Sequence, residues 1–108
     1  MSIEASIKAA VASTGYPCAA NIYTGAETTY FAFNYTILPT NYADDEPQHD
    51  KYLVQVHFYA PHVLNTVTIR KTIRGLIKTA FDAPTEMPAH DEKNQHYVYE
   101  FEVTDGEL

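Results

Sequence analysis

The chain has 108 residues, 45% of them hydrophobic, and 14 carboxylates against seven lysines and arginines, for a formal charge of −7. That length holds one domain, residues 1–108, with one sheet and two helices, and the hydrophobic share excludes a disordered chain. The acidic balance argues against direct nucleic-acid binding, and no stretch approaches the ~20 consecutive apolar residues of a membrane span.

The predicted elements begin with a short amphipathic helix over residues 2–14. Ile3, Ile7, Ala10 and Val11 form its apolar stripe. Ser2 caps it, Glu4 suits the positive end of the helix dipole, and Gly15 stops it just before Pro17. Glu4 and Lys8 break the apolar run, so no secretory signal is expected here. Residues 17–23 read as a short strand. Its Cys18 has no partner for an internal disulfide and is expected to be a small buried hydrophobe, which fits a reducing compartment.

Thr24-Gly25-Ala26 reads as a turn. Residues 28–37 alternate as a strand, with Phe31, Phe33, Tyr35 and Ile37 on one face. Residues 38–50 form a long loop, marked by Pro39, Asn41, Pro47 and the run Asp44-Asp45-Glu46. Residues 51–60 make a third strand, with Tyr52, Val54, Val56 and Phe58 on one face and Leu53, Gln55, His57 and Tyr59 on the other; Pro61 ends it.

A second helix spans 65–80, with Asn65 as N-cap. Its apolar stripe is Ile69, Ile73, Leu76, Ile77 and Ala80; Arg70, Lys71, Arg74 and Lys78 lie opposite, and Gly75 marks either close approach by another element or simple tolerance of a glycine. Residues 85–103 read as a closing hairpin turning at Asp91–Asn94, in which Tyr97, Tyr99, Phe101 and Val103 share a face. The tail from Thr104 is expected to fray. The order α-β-β-β-α-β-β predicts an α+β domain, a mostly antiparallel sheet of four or five strands packed on two helices.

Motifs for chemistry are missing. The five histidines have no HxxxH or CxxC spacing, the acidic loop lacks a D-x-D-x-D-G calcium pattern, and there is no GxSxG or glycine-rich phosphate loop. No catalytic residue, metal or cofactor is expected. His57 reads as a half-exposed sheet histidine, and His90 and His96 flank the last turn, placed to meet across it. The sharp electrostatic feature is a cluster of four cations within positions 70–78. It reads either as a solvated helix face or, set against Asp44, Asp45 and Glu46, as a head-to-tail contact between copies, the kind that closes into rings. Nine tyrosines without a tryptophan also suit an interface.

The chain resembles the tail terminator group of small tail proteins from long-tailed phages and prophages, also called tail-completion or head–tail joining proteins. The likeness lies in GYPCAANIYTGAETTYFAFNYTILPTNYADDE, YLVQVHFYAP, the amphipathic helix and the late HYVYEFEV strand, and covers residues 3–103. It implies a structural virion part: a ring, commonly a hexamer, that ends the tail tube and joins tail to head. The implied partners are other copies, the tail-tube protein and head–tail connectors; the implied location is the virion tail or neck, reached from the host cytoplasm. Asp44, Asp45, Glu46, Arg70, Lys71, Arg74 and Lys78 are the expected interface residues. TAFDAP stands where a glycine-phenylalanine pair is common, and Pro84 and Pro88 demote the first strand of the hairpin to an edge or an irregular segment. The alternatives are a small-molecule-binding or enzymatic α+β domain of a bacterial cell, with the aromatic sheet face as a pocket wall, and a nucleic-acid adaptor acting through the basic helix.

Overall fold

Alternating aromatic strands need a cover for one face, and two amphipathic helices supply it. The computed structural model describes residues 2–38 and 51–104. Helix α1 (Ile3–Val11) runs into a 3-10 turn (Ala12–Thr14), followed by β1 (Cys18–Ala20), β2 (Tyr30–Leu38), β3 (Lys51–Pro61), α2 (Val67–Ala80), β4 (Thr85–Ala89) and β5 (Asn94–Thr104). The α+β class and the order of elements are those expected from the sequence. The loop assigned to 38–50 lies outside the described residues, save for Leu38, which ends β2.

The sheet order is β1-β2-β3-β5-β4. All pairings are antiparallel but one: β1 runs parallel to β2. Asn21 takes a left-handed φ of 64°, a conformation asparagine tolerates, and its N–H donates to Phe33 O at 2.7 Å. The remainder of the strand expected to Tyr23 is therefore loop.

The core lies between the sheet and the helices. Ile3, Ile7 and Val11 of α1 and Ile73 and Ile77 of α2 pack with Phe31 and Phe33, Val54, Val56 and Phe58, and Tyr99, Phe101 and Val103. Each such side chain contributes about 1.5–3 kcal/mol by leaving water. Ser2 Oγ accepts from Ala5 N at 3.1 Å as the cap, and Gly15 closes the 3-10 turn at φ 80°.

Four expectations change. Thr66, not Asn65, occupies the N-cap position of α2, but its side chain makes no capping bond; Asn65 Oδ1 accepts from Val67 N at 3.1 Å. Gly75 is not approached: a Cβ built there meets nothing within 4 Å. Ile37, at the far end of its strand, is exposed, whereas Thr104 stays within β5. Pro88 is accommodated because β4 lies at the edge of the sheet.

Candidate functional site

Two surfaces bear the residues singled out above. The first is α2. Its four cations do not form one free stripe. Arg70 Nη1 and Arg74 Nη1 both donate to Glu86 of β4, at 3.2 and 2.6 Å. Arg70 also donates through Nε to Thr66 Oγ1 at 3.2 Å and lies 4.3 Å over the Tyr97 ring. Burial pushes the Glu86 carboxyl upward, but the Tyr99 hydroxyl beside it and the two guanidiniums outweigh that and hold it below its ordinary range. Burial, then the nearby Glu86 carboxylate, in turn raises the Tyr99 hydroxyl far above a normal phenol, although its oxygen makes no well-formed hydrogen bond. These residues clamp the edge strand to α2.

Lys71 and Lys78 remain exposed, seven residues apart on one side of the helix. Val67 precedes Lys71 by four positions and is 63% exposed; in the preceding loop Val63 is 96% exposed and Leu64 is also exposed. This loop is held firmly. Gln95 Nε2 donates to Pro61 O at 2.7 Å and Leu64 O at 2.6 Å, and its Oε1 accepts from the buried Thr66 hydroxyl at 2.7 Å. The result is an exposed strip of apolar and cationic side chains on and just before α2. Asp44, Asp45 and Glu46, its expected acidic counterparts, lie outside the described residues.

The second surface is the outer face of the sheet, away from the helices. Cross-strand register places Tyr30, Tyr59 and His96 in one row. Their rings stack at 4.8 and 4.1 Å between centroids, and Tyr23 extends the stack at 4.6 Å from Tyr30. Tyr23 also closes its own loop: its hydroxyl accepts from Glu27 N at 3.1 Å and lies over Gly25, where a Cβ has no room. In the next rows His57 Nδ1 lies 2.8 Å from His96 Nε2, and Asn34 Nδ2 donates to His57 Nε2 at 3.1 Å. His96 therefore meets His57, not His90, which is exposed. Burial, then the neighbouring His96, lowers the His57 imidazole; burial also lowers His96, against an upward pull from Asp91.

Half-buried Cys18 partly meets its expectation: it packs at the margin of the core. Burial pushes its thiol up to about 11, so it is a poor nucleophile. It borders an open groove with Lys8, Tyr16, Tyr23 and Glu27. Among the described residues, no group of three or more His, Cys, Asp or Glu side chains is placed to hold a metal, and no helix is long and apolar enough to cross a membrane.

Sequence reading missed Glu86, Gln95 and Asn34. Each is an ordinary polar residue whose role depends on strand register, and only the polar residue within an otherwise apolar face (Glu86 among Tyr97 and Tyr99) left a trace.

No protein-family model and no curated protein sequence matches the chain. One solved structure is similar to it with a TM-score of 0.64 at 11% identity, over 94% of this chain and 92% of its own. Its name states no activity, and at that identity the likeness shows a shared fold alone.

Proposed function

We propose that the chain is a structural component of a phage or prophage tail, a terminator that assembles into a ring, commonly a hexamer, at the end of the tail tube and joins tail to head. The observation that carries the reading is the fixed strip of Val63, Leu64, Val67, Lys71 and Lys78, which exposes apolar surface beside two exposed lysines. The loop is rigid because Gln95 and Thr66 hold it, so binding a neighbour costs little ordering of the chain. The order of elements supports the same reading, since it follows the resemblance from α1 through the aromatic β2 and the YLVQVHFYAP strand to α2 and the closing hairpin.

In this reading, the expected interface residues divide. Lys71 and Lys78 face the neighbour, with Asp44, Asp45 and Glu46 of the next copy as their counterparts, while Arg70 and Arg74 hold the subunit together. The chain needs no catalytic residue or cofactor for this work. Electron microscopy of tail-tube protein polymerised with and without the chain tests it. Short tubes capped at one end support the role; unchanged tube growth and bare ends refute it.

A small-molecule-binding domain is the second reading, and the groove beside Lys8, Cys18, Tyr23 and Glu27 favours it. A metabolite that copurifies with a monomeric protein, and is released by Tyr23→Ala, would decide for that reading.

A further inference from the structure

The imidazole pair on the outer face of the sheet has its own chemistry. With the Asn34 amide nitrogen turned toward His57, the proton inventory follows from the spacing. An amide nitrogen only donates, so Asn34 Nδ2 requires a bare Nε2 on His57. The neutral His57 ring then carries its hydrogen on Nδ1 and donates it to His96 Nε2, 2.8 Å away. The neutral His96 ring carries its own hydrogen on Nδ1. The chain Asn34→His57→His96 crosses three neighbouring strands, β2, β3 and β5, with two hydrogens on the two rings.

We infer that Asn34, His57 and His96 form a proton-operated latch that accepts one proton while closed and opens when it takes a second. The first proton binds His57 Nε2. It requires only that the Asn34 amide turn over, so that Oδ1 accepts where Nδ2 donated. The pair then holds three hydrogens, and the one between the rings still bridges them. A fourth hydrogen places Nδ1–H of one imidazolium against Nε2–H of the other. Two donors, each on a cation, do not remain 2.8 Å apart in a half-buried site.

The surroundings sharpen this. On β2 the pair faces Tyr30, Ala32 and Asn34; on β3, Gln55 and Tyr59; on β5, Val98 and Glu100; on β4, Met87 and Ala89. The Glu100 carboxylate accepts from Gln55 Nε2 at 2.9 Å. Asp91, in the β4–β5 turn, is the anion that acts on His96, and it accepts at Oδ1 from Lys93 N and Asn94 N. One positive charge is thus partly balanced, and a second is not. Tyr59 stacks on His96 at 4.1 Å and lies near-parallel to His57 at 6.3 Å, so its ring signals report a displacement of either imidazole.

The test is a pH titration of the full chain by long-range proton–nitrogen NMR of both imidazoles, with the Tyr59 ring signals followed in parallel. The expected result is two separate steps, the first without change at Tyr59 and the second with its ring signals shifting to those of an unstacked tyrosine. Asn34→Asp, which offers an acceptor only, raises the first step by about one pH unit or more; Asn34→Leu lowers it. Two imidazoles that titrate together, as independent groups near the ordinary histidine value with no change at Tyr59, overturn the latch in the wild-type chain whether or not the variants fold.

Discussion

Arg74 Nη1 lies 2.6 Å from Glu86 Oε2, across the gap between α2 and the edge strand β4. Glu86 receives Arg70 through its other oxygen, at 3.2 Å. A cation cluster that reads as a free surface in the sequence is thus half spent inside the subunit. Any experiment on the cluster must separate folding from association.

Charge changes at the four positions should therefore differ in kind. Lys71→Glu and Lys78→Glu leave stability within about 0.5 kcal/mol of wild type, because both side chains are exposed. They weaken self-association. Arg74→Glu sets a carboxylate against Glu86 and lowers stability by about 1 kcal/mol or more. Urea unfolding and sedimentation on the same samples check the division.

Glu86 also gives the fold a sign of acid response. Its carboxyl is lowered from an ordinary 4.5 in the folded chain, despite burial, by the Tyr99 hydroxyl and the two arginines. A lowered carboxyl contributes stability that is fully present above its unfolded value and is lost as pH falls through the folded one. Stability should decline below about pH 4.5. In Glu86→Gln, which also leaves two guanidiniums without a counter-ion, stability at neutral pH is lower and the decline shallower, as denaturant midpoints measured against pH would report.

Gln95 makes three hydrogen bonds that fix the loop before α2. Gln95→Ala leaves the Pro61 and Leu64 carbonyls and the Thr66 hydroxyl without these partners. The expected loss is about 1–3 kcal/mol, with faster amide exchange in residues 62–66. A variant as stable as wild type, with unchanged exchange, would remove the basis for a rigid strip.

Gly75 has open space around it and sits in the interior of α2. Gly75→Ala should stabilise the chain by about 1 kcal/mol, through helix propensity. Thermal unfolding would register a rise of a few degrees.

Much of the fold was legible because polarity alternates where strands run and recurs at helical spacing where helices run. The core positions Phe31, Phe33, Val54, Val56, Phe58, Ile73, Ile77, Tyr99 and Phe101 follow from those periods alone. The parallel docking of β1 was not legible, since a three-residue strand carries too short a period to show which neighbour it joins or in which direction. Nor was the pairing of His57 with His96, which are 39 residues apart and meet only once β3 and β5 are in register. The fate of Arg70 and Arg74 was hidden for the same reason. A helical wheel places a cation relative to its own helix, and cannot say that an edge strand brings Glu86 alongside.

Native mass spectrometry of the full chain across a concentration series tests the central claim most directly. The account predicts a closed oligomer of ring size, a hexamer in the simplest case, that dissociates in the Lys71→Glu, Lys78→Glu double variant while each subunit stays folded. A wild-type chain that remains monomeric at every concentration would contradict it.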